Sequence, residues 1–293
     1  ARLDIVGALL SVAGLATAVF GVLRASQWGW LTPRPGAPGL LSASLTFWCI
    51  VGGLFIVWLF LLWEARTVRA GREPLVRPSL LENPLLRSSL TLFGFQFLVQ
   101  AGVFFVVPLF LSVVLELPAL GTGLRILPLS LALLVAALGV PRLWPDVSPR
   151  RAIRLGLVLM LVGIVVLRSG VDLDASAAIV ALPMVCMGLG VGTLASQLGA
   201  LAISSVREEH SSEVGGLQNT ATNLGASLGT ALAGSILIAA LTTSFISGIQ
   251  DNPDVPGAVA AQAEVFLADG APFLSDTQLE TELQKAGVAD TLA

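Results

Sequence analysis

Seven long hydrophobic runs divide this chain, and they constrain its fold more than any other feature. A helix needs about 20 mostly apolar residues to cross the hydrocarbon core of a bilayer. Backbone groups inside lipid must be satisfied within their own segment, so each run is expected to be helical. The sequence therefore predicts an all-α polytopic membrane protein with seven transmembrane helices, at approximately 5–23, 44–63, 89–115, 123–141, 152–168, 178–200 and 214–241.

Composition supports the same class. The chain is 55% hydrophobic and only 12% charged, whereas soluble globular domains contain about 25% charged residues. Cys49 and Cys186 lie in separate hydrophobic runs without metal-ligand spacing, and His210 is expected to be solvated in a polar loop. We find no phosphate-binding loop, metalloprotease motif or nucleophile elbow. The sequence thus predicts no enzyme, no cofactor, no metal site and no nucleic-acid partner.

Basic residues are distributed unevenly between the runs. Arginines crowd the connection 64–88 and the loop between the fourth and fifth runs, and most of the 16 basic residues fall on one side of an alternating topology. Cytoplasmic loops of membrane proteins are enriched in Lys and Arg. We therefore expect a multi-pass cell-membrane protein with residue 1 cytoplasmic and the acidic segment 242–293 extracytoplasmic. The loop between the fourth and fifth runs, which is expected to be cytoplasmic, contains Arg142, Asp146, Arg150 and Arg151.

The connection 64–88 also marks a predicted boundary. It separates a two-helix insert at 1–63 from a bundle at 89–241, and its stretch 75–86 favours an interfacial segment. Within 242–293, the run SDTQLETELQKAG favours a capped amphipathic helix. The first residue is Ala and not Met, so we expect either a processed chain or a piece of a longer polypeptide.

The seventh run carries polar amides and small residues on one side. At about 100° per residue they form two adjoining stripes: Gln218, Thr222, Gly225, Gly229 and Ala233, and beside them Asn219, Asn223, Ala226, Thr230 and Gly234. Small residues let membrane helices approach closely. Helix packing is therefore expected at Gly188, Gly192, Gly225, Gly229 and Gly234.

Two interpretations of the amides remain open. Amides at membrane depth are costly unless they meet a partner or water, so they often line pathways, but they also join helices by hydrogen bonds. Gln96 and Gln100, one turn apart in the third run, present the same alternatives. The candidate substrate-binding residues are Gln96, Gln100, Gln218, Asn219, Thr222 and Asn223.

Five segments follow one another in a characteristic order. They are RLDIVGALLSVAGLATAVFGVLRASQWGW, EARTVRAGREPLVRPSLLENPLLR, GTGLRILPLSLALLVAALGVPRLWPDVSPRRAIRLGLVL, MGLGVGTLASQLG and SSEVGGLQNTATNLGASLGTALAGSIL. In this order they resemble the C-terminal half of the major facilitator superfamily drug:proton antiporters with fourteen transmembrane helices (EmrB/QacA type). The resemblance implies a partial major facilitator fold, a fragment whose last helix and N-terminal half are missing.

The resemblance also implies a function. It implies proton-coupled efflux of amphipathic drugs by alternating access, hence antibiotic resistance, with the lipid bilayer, a small substrate, protons and the missing half as partners. The family's coupling carboxylates lie mostly in that half, and we expect no Asp or Glu within the seven runs to replace them. Pro145, Asp146 and Ser148 stand where the family's basic loop usually has an Asp-Arg pair and a glycine, so no gating ion pair is expected there.

Other functions fit seven helices. A retinal-type receptor needs a lysine within a helix, whereas Lys285 lies in the acidic segment, and such receptors place the N-terminus outside. A non-transporting scaffold or degenerate half-transporter would explain the absent carboxylates, although the polar stripe counts against it. Export of a lipid or natural product instead of drugs also stays open.

Overall fold

The computed structural model describes residues 4–34, 37–170, 177–207 and 210–250. Its described part contains seven α-helices long and apolar enough to cross a membrane. They are α1 Ile5–Trp28, α2 Leu45–Arg69, α3 Pro84–Leu109, α4 Ala119–Leu143, α5 Pro149–Gly170, α6 Ala181–Ser204 and α7 Ser211–Gln250. The predicted all-α class with seven spans is confirmed. The predicted amphipathic helix beyond Gln250 lies outside the described residues.

Polar caps mark the starts of α1 and α2. The carboxylate of Asp4 accepts a hydrogen bond from the N–H of Gly7 at 2.8 Å and starts α1. The hydroxyl of Ser44 does the same for α2, accepting from the N–H of Thr46 at 3.2 Å. Because charged side chains do not interrupt backbone hydrogen bonding, α2 continues to Arg69, well into the predicted loop.

Short irregular elements connect the helices. Between α1 and α2, a two-residue hairpin pairs β1 Gly39–Leu40 with β2 Ala43–Ser44. Its turn residues Leu41 and Ser42 both have positive φ, as a tight hairpin turn requires. Between α2 and α3 the chain forms a 3₁₀ turn at Pro78–Glu82.

The end of α3 is also irregular. Pro108 lies inside the helix, and the chain then forms a π-helical turn at Phe110–Val114. A proline removes one helical hydrogen bond and clashes with the preceding turn, and the π-helical turn begins two residues after it.

The chain divides into two compact units. The first comprises the described residues of Ala1–Phe105 and Leu198–Ala271, and the second comprises those of Val106–Gln197. The predicted two-helix insert therefore belongs to the same unit as most of α3 and the described part of α7. The boundary predicted at 64–88 stays a prediction about the domain organisation.

An antiparallel hairpin of α1 and α2 organises one side of the first unit. Gly7 lies against Glu64, Gly14 against Val57 and Gly21 against Cys49. The glycines recur at seven-residue intervals, so they share one face of α1. Close backbone approach along that face holds the two helices together.

Candidate functional site

In the first unit, α3 and α7 approach each other to backbone contact. A Cβ on Gly225 would overlap the carbonyl of Gly94, and a Cβ on Gly229 would overlap the carbonyl of Leu98. Both helices advance by one turn between these contacts, so they run parallel. At Gly234 an added Cβ would lie 3.7 Å from the ring of Phe105, an ordinary contact. Small side chains are thus required at Gly225 and Gly229, because dispersion between close backbones stabilises helix pairs in lipid.

Two of the predicted amides lie near the middle of the α3 span. Gln96 is only 3% exposed. Within the described part of the chain, the Oε1 atoms of Gln96 and Gln100 are buried without a hydrogen-bond partner. A buried acceptor left in this state costs about 1–3 kcal/mol. Each oxygen is therefore available to an O–H or N–H group of a ligand or to water.

Gln218 provides a complementary group on α7. Its Nε2 is buried and lacks a partner among the described residues, and an amide nitrogen is a donor. Gln218 precedes Gly225 by two turns, whereas Gln96 follows Gly94 by half a turn. With a rise of 1.5 Å per residue, the parallel register separates Gln218 from Gln96 by about 13 Å along the helix axes. A ligand that contacts both must be elongated.

The other three candidates on α7 bond to each other. Nδ2 of Asn223 donates to the backbone carbonyl of Asn219 at 2.8 Å and to its Oδ1 at 3.1 Å. The hydroxyl of Thr222 donates to the same carbonyl at 2.8 Å. Asn219 and Asn223 are exposed, and helical geometry turns them away from the side of Gly225 that meets α3. The structure thus does not bring the six candidates into one cluster.

Sequence reasoning missed a buried carboxylate in α2. Glu64 is completely buried, and its Oε2 accepts a hydrogen bond from the N–H of Leu75 at 2.9 Å. Its Oε1 has no partner within the described residues and lies beside Gly7. The predicted run 44–63 stops one residue before Glu64, whereas α2 continues through Glu64 to Arg69. Hydropathy counting ended that span at the first charged residue and gave no signal of its burial.

His210 is buried, so the expectation that it is solvated is wrong. It is 5% exposed. Its Nε2 lies 3.2 Å from Nη1 of Arg77, and its Nδ1 lies 3.2 Å from Oε1 of Glu213. A guanidinium can only donate, so the ring nitrogen that faces it is placed to accept a hydrogen bond.

Arg77 and Glu213 also contact each other directly. The backbone N–H of Arg77 donates to Oε2 of Glu213 at 2.7 Å, and its guanidinium Nε lies 3.7 Å from Oε1. We call Arg77, His210 and Glu213 the loop clasp. It fastens the connection before α3 to the start of α7, which positions the two helices that carry the amides.

In the second unit, α6 packs closely against α4 and α5. A Cβ on Gly188 would overlap the carbonyl of Leu129, and one on Gly192 would overlap the carbonyl of Leu133. A Cβ on Gly190 would lie 2.7 Å from the carbonyl oxygen of Gly156 in α5. The glycines of this run therefore lie where side chains would collide with neighbouring helices.

A cavity of about 560 Å³ opens at the end of the second unit that carries the α4–α5 loop. Asp146 and Arg151 line it, and Arg150 lies next to it in sequence. Nη1 of Arg142 lies 3.5 Å from the carbonyl oxygen of Leu138. In the described ranges, none of these four charged residues takes part in an ion pair. Across the same ranges, no group of three His, Cys, Asp or Glu side chains is placed to hold a metal ion.

Comparison with known proteins identifies relatives of similar sequence. The chain is 22% identical over 97% of its length to a probable actinorhodin transporter of Streptomyces coelicolor, of which it covers 46%. It is 26% identical over 92% of its length to the drug efflux pump JefA of Mycobacterium tuberculosis, covering 50%. It is also 26% identical over 80% of its length to the tetracenomycin C resistance and export protein of Streptomyces glaucescens, covering 40%. The chain spans about half the length of the curated relatives it matches.

A family model described as Major Facilitator Superfamily matches residues 3–230. The matched range contains α1 to α6 and α7 as far as Thr230, which includes all the amides of α7 named above. Together with the seven membrane-length helices, this match shows that the chain belongs to the Major Facilitator Superfamily of membrane transporters.

Proposed function

We propose that this chain is the C-terminal part of a proton-coupled exporter of the fourteen-helix EmrB/QacA type. It would move amphipathic small molecules out of the cell by alternating access. Relatives named as a probable transporter, as a drug efflux pump and as a resistance and export protein support this, as does the fact that the chain spans about half their length. An N-terminal half would supply the second bundle and the coupling carboxylates.

The placement in the membrane belongs to the same proposal. The arginine-rich connections face the cytoplasm, as the bias of basic residues towards cytoplasmic loops favours. Residue 1 then lies on the cytoplasmic side of the cell membrane, and 242–293 lies on the extracytoplasmic side. Substrate would enter from the arginine-bearing side and leave on the other.

The buried amide atoms carry the proposal. Gln96 and Gln100 present acceptors, and Gln218 presents a donor, each without a partner in the described part of the chain. Most buried polar groups in proteins are hydrogen-bonded, and polar groups within spans tend to mark substrate pathways. Gln96 and Gln100 lie near the middle of their span, where secondary transporters bind substrate. The axial separation of about 13 Å between Gln96 and Gln218 suits an elongated molecule.

An efflux assay tests the proposal. The complete native polypeptide is reconstituted in liposomes, a pH gradient is imposed, and transport of several amphipathic dyes is measured. We expect gradient-dependent transport, and we expect Gln96→Leu to raise the KM for at least one dye about tenfold, as loss of one buried hydrogen bond does. Transport at the same rate with and without the pH gradient would contradict proton coupling. If no compound were transported, the proposal that the protein is an exporter would be wrong.

A matched variant on the same helix serves as the control. The hydroxyl of Thr91 in α3 is exposed and donates to the carbonyl of Arg87 at 2.9 Å, so Thr91→Val removes a polar group away from the amides. Its transport is expected to equal that of the wild type. Equal losses in both variants would show that the amide of Gln96 has no specific role.

Export of a single compound is the second candidate. Two relatives are named for actinorhodin and for tetracenomycin C, not for drugs in general. The same assay separates the two functions by the number of unrelated compounds that are transported.

A further inference from the structure

The cavity in the second unit combines an apolar wall with a charged rim. Val140, Leu143, Trp144 and Leu155 supply apolar lining, and Arg151 lies among the lining residues. Leu143 and Trp144 are exposed, at 78% and 57% of their surface. Tryptophan is enriched at the depth of lipid headgroups. The cavity therefore offers an apolar surface and a cation at the end of a membrane-spanning bundle.

One arginine and one aspartate line the cavity, and further arginines flank these residues in sequence. Arg142 lies in the last turn of α4, and Arg150, Arg151 and Arg154 lie in the first two turns of α5. Asp146 is the acidic residue that lines the cavity. Arg151 and Asp146 form no ion pair with each other in the described structure. The side chain of Arg151 thus keeps its donors for another group, and its position at the start of a helix adds the positive end of the helix dipole.

We propose that this cavity binds an anionic phospholipid, with the phosphate at Arg151 and the first part of an acyl chain against Leu143, Trp144 and Leu155. Basic pockets between membrane helices bind anionic lipid headgroups by the same combination. A guanidinium matches a phosphate with two parallel hydrogen bonds. A volume of 560 Å³ lies within the range of about 300–1,000 Å³ usual for small-molecule sites.

The apolar wall selects a lipid over a free phosphate. A soluble phosphate ester would contact Arg151 alone and leave the wall exposed, whereas an acyl chain buries it at about 25 cal/mol per Å². Asp146 lies on the same rim and repels an anion, so it limits the affinity. The site is separate from the amides of the first unit, and lipid binding there does not depend on the exporter proposal.

Native mass spectrometry of the complete polypeptide tests the proposal. The protein in neutral detergent is titrated with phosphatidylglycerol or phosphatidylcholine of identical acyl chains. We expect preferential binding of phosphatidylglycerol. Arg151→Gln should weaken that binding about fivefold, which is what one basic residue contributes near an anionic lipid, and Asp146→Asn should strengthen it.

Matched variants and ligands make the result decisive. Arg168→Gln removes an arginine from the opposite end of the same helix and should leave lipid binding unchanged. Leu155→Ala should weaken binding of the lipid but not of glycerol phosphate. The proposal would be overturned if the two lipids bound equally, or if Arg168→Gln had the same effect as Arg151→Gln. It would also be overturned if glycerol phosphate competed as well as the lipid. No bound lipid at all would do so too, and would point to a polypeptide segment as the occupant.

Discussion

Gly229 of α7 lies so close to the backbone carbonyl of Leu98 in α3 that a Cβ at this position would overlap it. One turn earlier, Gly225 stands in the same relationship to Gly94. The pair of helices is therefore joined backbone to backbone along one face. This close contact fixes the parallel register, and the register in turn fixes how far apart Gln96 and Gln218 lie.

Replacing Gly229 tests this helix contact. Gly229→Ala is expected to lower the stability of the protein in detergent by about 1–3 kcal/mol, because the added carbon overpacks the interface. Gly216→Ala is the matched control on α7, since nothing lies within 4 Å of a Cβ there. Its stability should stay the same or rise slightly, because Ala favours helix more than Gly does. Unfolding midpoints measured under identical detergent conditions check both, and equal midpoints would contradict the close contact.

The glycines of α6 allow the same experiment on another helix. Gly192→Ala brings a carbon into the carbonyl of Leu133, whereas Gly199→Ala on the same helix meets nothing within 4 Å. We expect Gly192→Ala to cost about 1–3 kcal/mol and Gly199→Ala to cost none. Thermal scans of the purified variants distinguish them. A loss that is larger for Gly199→Ala would show that α6 packs through another face.

The buried carboxylate of α2 predicts a difference between two substitutions. Glu64→Gln keeps an oxygen that accepts from the N–H of Leu75, whereas Glu64→Leu leaves that N–H without its acceptor. An unsatisfied buried donor costs about 1–3 kcal/mol, so the Leu variant should unfold at the lower denaturant concentration. Exposed Glu73 supplies the control as Glu73→Gln. If the Leu variant is the more stable of the two at position 64, the hydrogen bond contributes nothing.

The loop clasp predicts where the protein becomes accessible to protease. Glu213→Ala removes the carboxylate that accepts from the backbone of Arg77 and lies beside His210. The connection between α2 and α3 should then open more often, and limited proteolysis within 70–83 should accelerate about tenfold for each 1.4 kcal/mol lost locally. Glu73→Ala leaves the clasp intact and should be cleaved at the rate of the wild type. Unchanged cleavage of the Glu213 variant would show that the clasp does not hold this connection.

Much of the fold could be predicted from the sequence, because each membrane helix depends on the residues of its own segment. Each predicted span appears as a helix because about 20 apolar residues in lipid must satisfy their backbone bonds internally. The ends of the helices were harder to predict. A count of apolar residues stops at the first charged residue, whereas α2 continues through Glu64 to Arg69. The caps at Asp4 and Ser44 show that polar side chains decide where a helix begins.

The candidate site could be predicted from the sequence only in part. Helical periodicity placed Gln218 on the same stripe as Gly225 and placed Asn219 and Asn223 on the next one. It did not predict that the asparagines would be exposed and bonded together while Gln96 was buried. Periodicity groups residues by face within one helix, and it carries no information about which face another helix covers.

The sequence by itself determined the number of membrane helices, their apolar character and membership of a transporter superfamily, because these depend on local composition and on the order of segments. Only the tertiary structure decided which polar groups are buried. Glu64 lies in a space that Gly7 leaves open, and His210 lies between Arg77 and Glu213. Each of these burials requires residues distant in the chain to meet, and the energy that decides it comes from packing between helices, which no single segment contains.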